Sequence, residues 1–243
     1  MNFNFSNHDL NVCIPIALTL FGFSCYWFVS KSEKVKNFFY SRFTFDDASA
    51  KHIFFTKCFG FLLMGFFPWV ISLFVLGKER FNYFGIAYLP NKVFFSFYWI
   101  AILSIVAVPL AYFSAKKPKN LINYPQIRAK IWTRKIFYIN LLGWAIYLFG
   151  YELLFRGVLF FPLVEELGIW QAIMINIALY SATHIPKGIE ETIGAIPLGI
   201  VLCLLTWESE MIWIAFFVHL AIAWTNSLTA LKFHPDIKYK NWN

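Results

Sequence analysis

The chain has 243 residues, 59% of them hydrophobic and 21% aromatic, against 14% charged. A soluble domain carries about 25% charged residues, so this one lacks the polar side chains to cover itself in water. The net charge is +8, but the basic residues fall in the gaps between apolar runs, which reads as membrane topology and not as a nucleic-acid surface.

The expected fold is all-α: a polytopic bundle of about seven transmembrane helices, with six to eight as the range. Apolar runs lie at 12–30, 58–77, 93–115, 136–161, 169–185, 193–207 and 211–231. A span needs roughly 20 apolar residues. The runs at 169–185 and 193–207 fall short, so they are expected to tilt little or to be partly re-entrant. Residues 1–11 hold no Lys or Arg and no small-residue cleavage site follows, so the first run reads as a retained anchor helix. The segments 31–57 and 116–135 are the sizeable extramembrane stretches. No repeat or long linker divides the chain, so 1–243 reads as a single membrane domain.

With the N-terminus outside, the inner loops and tail collect seventeen of the 21 basic residues, including Lys31, Lys51, Lys57 and Lys187. Lys78, Arg80 and Lys92 fall outside, and Arg156 lies within a run. The bias puts the C-terminus in the cytoplasm. Cys13, Cys25, Cys58 and Cys203 form no CxxC or zinc spacing and read as small core residues.

Ionisable side chains inside membrane segments are costly and mark functional sites by default. Glu152, Arg156, His184 and His219 stand out. Glu152 and Arg156 are spaced i, i+4 and can pair on one helix face, which a structural ion pair would also do. Gly168 is the turn between two runs, with Glu152 sixteen residues before it and His184 sixteen after. In an antiparallel hairpin both travel about 24 Å from the turn and reach similar depth. The stretch 136–167 would be about 48 Å long as one helix, against a core near 30 Å, so it must tilt, protrude or break near Gly150. By the same count His219 sits shallower than His184 by roughly 10 Å, and Asn226 matches the depth better. Glu190 and Glu191 read as acids capping the next helix.

One carboxylate and two imidazoles suit water activation, with a second His or an amide stabilising the oxyanion. The same Glu152, His184 and His219 would be the ligands of a divalent metal such as Zn²⁺, with an open fourth position, although no cofactor is expected. No HExxH occurs, nor any serine- or aspartyl-type intramembrane protease signature.

The run Tyr151-Glu152-Leu153-Leu154-Phe155-Arg156-Gly157, the pair Tyr180 and His184, and the stretch beginning at His219 resemble the CAAX prenyl endopeptidase and bacteriocin-processing family. The likeness covers 136–231, the expected catalytic core; 1–135 carries no family signature and reads as a variable set of N-terminal helices. The resemblance implies an intramembrane endopeptidase acting on a peptide or membrane-protein substrate within the lipid bilayer. It also implies that a Glu and His184 activate water while His219 and an Asn support the oxyanion. Two positions depart from the pattern. Tyr151 replaces the first Glu of the pair, and Ala223 stands where the Asn belongs, with Asn226 the nearest substitute. The expected site is therefore Glu152, Arg156, His184, His219 and Asn226. The Tyr at the Glu position leaves open a non-catalytic member acting as scaffold, immunity factor or binding partner. A bacterial inner membrane is the expected location.

Overall fold

The computed structural model describes residues 6–77 and 81–240. Lys78 and Arg80, part of the outer-loop charge argument, lie outside the described residues. Eight helices carry the fold among those described: α1 (Asn7–Ser30), α2 (Glu33–Tyr40), α3 (Phe45–Val75), α4 (Val93–Ala115), α5 (Arg134–Leu167), α6 (Ile169–Ala182), α7 (Ile189–Ser209) and α8 (Trp213–Phe233). A two-residue parallel bridge joins β1 (Ile131–Trp132) to β2 (Lys238–Tyr239).

Six of the helices are long and apolar enough to cross a bilayer: α1, α3, the stretch Pro90–Ala115 that contains α4, α5, α7 and α8. The protein is an all-α integral membrane protein, with six such spans against the approximate seven expected. The missing one is α6, whose 14 residues reach about 21 Å and fall short of a crossing.

Helix ends follow local chemistry. Ser6 caps α1 with a capping box, its hydroxyl accepting from the Asp9 amide while Asp9 accepts from the Ser6 amide. Thr133 caps α5 by accepting from the Ile136 amide. Gly168 (φ 87°) makes the sharp turn from α5 into α6, a backbone shape that side-chain-bearing residues resist.

Two expectations change, and one choice left open is narrowed. The loop 31–57 is largely helical, because α3 starts at Phe45, not near residue 58. The polar residues that lowered its hydropathy are housed within the fold, with Lys51 Nζ 3.3 Å above the Phe43 ring and Lys57 Nζ 3.1 Å above Trp144. The short run at 193–207 belongs to the 21-residue α7, whose first turn holds Glu190 and Glu191 where acids favour a helix start. Finally, α5 does not break near Gly150. It continues for 34 residues and passes into a π-helical stretch at Leu153–Phe160. That winding follows a close crossing: a Cβ on Gly65 would lie 2.6 Å from the Gly150 Cα. Gly65 itself sits in a second π stretch, Phe61–Phe66 of α3.

α5 forms the middle of the bundle, packed against α1, α3, α6 and α8. In its most apolar stretch 83% is buried, against 6% for the span holding α4. Phe94, Ile105 and Leu110 on α4 are well exposed, as side chains facing acyl chains are. Hydrophobicity alone does not drive helices together in lipid, so close backbone approach of the Gly65–Gly150 kind is what packs such a bundle.

Candidate active site

The site is assembled around α5. Tyr151 and Glu152 end its α-helical part and Arg156 projects from the π stretch. A π-helical bulge commonly marks a functional position, because it redirects side chains that regular winding would place elsewhere. Asn176 of α6 holds this segment by donating to the Phe155 carbonyl at 2.6 Å.

Glu152 and Arg156 are both fully buried, with Nη1 3.3 Å from Oε2. The other carboxylate oxygen, Oε1, accepts from His219 Nδ1 at 2.6 Å. The guanidinium carbon stands 4.3 Å above the Tyr180 ring, adding a cation–π contact. A carboxylate without such partners could not remain charged in this interior.

His184 closes the short α6 arm. Its Nδ1 donates to the Tyr180 carbonyl at 3.0 Å and lies 3.2 Å from Thr183 Oγ1. A carbonyl only accepts, so Nδ1 carries the hydrogen and Nε2 is left as the basic lone pair. His219 is anchored through the same ring atom, its Nδ1 donating to Glu152 Oε1. His184 lies in the connection between α6 and α7, outside the six spans. Burial pushes its pKa down to about 3, with the nearby Lys187 charge acting the same way, so the ring is neutral at physiological pH.

Both imidazoles line a cavity of about 310 Å³, together with Tyr151, Thr183, Lys57 and Lys187. That space would hold about ten waters. Glu152 is not on the cavity wall; it stands behind His219 and reaches the cavity only through that ring. Tyr151, at the position of the family's first Glu, donates its hydroxyl to Thr183 Oγ1 at 2.8 Å, and Thr183 donates onward to the Tyr180 carbonyl at 2.7 Å.

Of the five expected residues, the fold thus brings Glu152, Arg156 and His219 into direct contact and sets His184 on the same cavity. Asn226 does not line the cavity, and its buried Oδ1 has no hydrogen-bond partner among the described residues. The depth count favoured Asn226 over His219, and the contacts favour His219. Counting residues measures distance along a helix, and a 34-residue helix of about 51 Å cannot stand upright in a core of about 30 Å. Glu190 pairs with Lys119 (3.0 Å), and Glu191 lies 3.7 Å from Lys187 at the cavity rim. Sequence reasoning missed Thr183 and Lys57. Thr183 precedes His184 directly, and a hydroxyl beside a His at the end of an apolar run was the available signal; Lys57 was assigned to a loop.

The donor set does not suit a metal. Glu152 spends its oxygens on His219 and Arg156, so of the three expected ligands only the two imidazoles keep a free donor, Nε2. Among the described residues, no group of three His, Cys, Asp or Glu could hold a metal ion.

No curated protein and no solved structure matches the chain. A family model does, over residues 133–225, and it is described as "Type II CAAX prenyl endopeptidase Rce1-like". Tyr151, Glu152, Arg156, His184 and His219 all fall inside the matched region. Across that region, from the start of α5 into α8, the chain is similar to the Rce1-like family of type II CAAX prenyl endopeptidases.

Proposed function

We propose that the protein is an intramembrane endopeptidase in which His184 activates water within the cavity. The observation that carries this reading is the pair of imidazoles, each anchored through Nδ1, on the wall of one hollow roomy enough for water beside a peptide end. His184 Nε2 takes a proton from water as its oxygen adds to the scissile carbonyl. His219, its ring fixed by Glu152, meets the developing oxyanion with an Nε2–H, the ring carrying both protons for that step. Collapse of the adduct breaks the C–N bond, and the proton on His184 passes to the leaving amine. Glu152 is a positioning residue here: it orients His219 and never touches water. Arg156 pairs with the other carboxylate oxygen of Glu152. The substrate is a peptide or membrane-protein segment. No step requires a metal, and chelators are expected to leave turnover unchanged. The cavity's Lys31 and Lys187 mark its mouth as the basic end of the bundle, which by the positive-inside rule faces the cytoplasm of a bacterial inner membrane.

The test is cleavage of a membrane-peptide pool by the purified chain in lipid nanodiscs, with products identified by mass spectrometry in H₂¹⁸O. One heavy oxygen should enter each new carboxyl group. His184→Ala is expected to lower the rate about 10²–10⁴-fold. Full activity in that variant rejects the assignment.

A second reading is favoured by Tyr151, which puts a hydrogen-bonded phenol where the family has its carboxylate. In this reading the chain binds a segment in the cavity without cutting it. Binding of the pool with no ¹⁸O incorporation would select it.

A further inference from the structure

The cavity is electrostatically one-sided. Three lysines line it, Lys31, Lys57 and Lys187, while none of its lining residues is Asp or Glu. Glu152 does not offset them, because it is committed to Arg156 and His219. Glu191 lies 3.7 Å from Lys187 in a half-exposed pair at the rim, where solvent screens it. Lys57 is the unusual one. It is 3% exposed, deep in α3, and its ammonium rests 3.1 Å over the Trp144 ring and 5.1 Å from the Tyr147 centroid. Among the described residues no carboxylate pairs with it. Lys31 stands in the same way 4.9 Å over Trp27. Aromatic faces hold these ammonium groups in place but leave their hydrogen-bond donors unspent.

Lysines displayed around a small cavity, with imidazoles in its wall, describe a receptor for an anion. A cavity of about 310 Å³ is too small for a folded partner and large enough for the end of an extended peptide. Resting on the peptidase reading above, we propose that Lys57 and Lys187 bind a carboxylate of the substrate, and so select peptides that carry a negative charge on the side of the cleaved bond that enters the cavity. A carboxylate there is either a free C-terminus or an acidic side chain, and both present the same two oxygens to an ammonium donor.

The experiment measures retention, not cleavage, so it stays informative if the chain proves inactive. A pool of acylated hexapeptides, randomised at the inner positions, is offered to the nanodisc-embedded protein in three forms. One ends in a free carboxylate, one in an amide, and one in an amide preceded by Glu. Tenfold or greater enrichment of either charged form over the plain amide is expected, and the winning form identifies which carboxylate is read. Lys57→Met should abolish the preference. Lys187→Gln, at an exposed loop where folding is not at stake, should weaken it severalfold. Equal retention of all three forms overturns the proposal, as does a preference that survives in folded Lys57→Met and in Lys187→Gln. Loss of peptide retention on adding phosphatidylglycerol at molar parity also overturns it, in favour of a lipid phosphate. Cleavage without charge preference would sink this proposal and leave the peptidase reading intact; retention without cleavage would do the reverse.

Discussion

At the scale of single residues, the Glu152–Arg156 pair is where structure and chemistry overlap, and the two roles can be separated. Removing one partner of a fully buried pair strands the other charge and costs about 3–5 kcal/mol, whereas replacing both by apolar groups is often neutral. Glu152→Gln should therefore lower the melting temperature in detergent strongly. Glu152→Gln combined with Arg156→Met should recover much of that loss. Activity should stay low in both, because His219 has lost its carboxylate anchor in each. If the double variant regains activity along with stability, Glu152 is a packing residue and no more. These two residues were legible in the sequence because a charge in an apolar run has so few uses. The i, i+4 spacing predicted their contact, even though the π winding between them departs from the regular helix that the spacing assumes. Thr183 and Lys57 were harder to see. A threonine is unremarkable in any helix, and a lysine near the end of an apolar run is normally read as the membrane boundary.

The helices set these residues at the right distances through backbone contact as much as through side chains. α3 and α5 cross where Gly65 meets Gly150, and a methyl group added to Gly150 would lie 2.8 Å from the Phe61 Cα. Gly150→Ala should cost about 1–3 kcal/mol of stability by overpacking. It should also depress activity beyond the fraction unfolded, since Tyr151 and Glu152 follow directly. Thermal unfolding and turnover of the same preparation separate the two effects; unchanged values for both would show that the crossing is not tight. Helix existence was readable from hydropathy, but the boundaries of α3 and α7 were not. Both helices begin with charged turns whose partners lie elsewhere in the chain, as with Glu190 on Lys119. A window of local sequence sees only the charge.

For the molecule as a whole, lipid-facing helices surround a polar interior hollow. Burial in the wall of that hollow lowers the His184 pKa to about 3. A general base works in its deprotonated form, so the sign is fixed: activity carried by His184 is present above its pKa and lost as pH falls through it. The acid limb of kcat/KM for this group is thus expected well below the value of about 6.5 for a free imidazole. A limb near 6.5 that disappears in His184→Gln would show that the ring is solvated and that the hollow is wider than described.

The π-wound turn of α5 has a consequence for how the chain tolerates changes in length. Regular α winding advances about 100° per residue. Deleting one residue, such as Val158, from the stretch Leu153–Phe160 would let it relax into an ordinary helix without breaking it. Everything after the deletion would then be reset in phase against everything before it. The shortened protein should insert and stay helical by circular dichroism, yet the end of α5, and with it α6 and the His184 that follows it, would be turned to a new angle about the axis relative to Glu152 and Arg156, which precede the deletion. One residue of register therefore separates an assembled site from a folded bundle that has none.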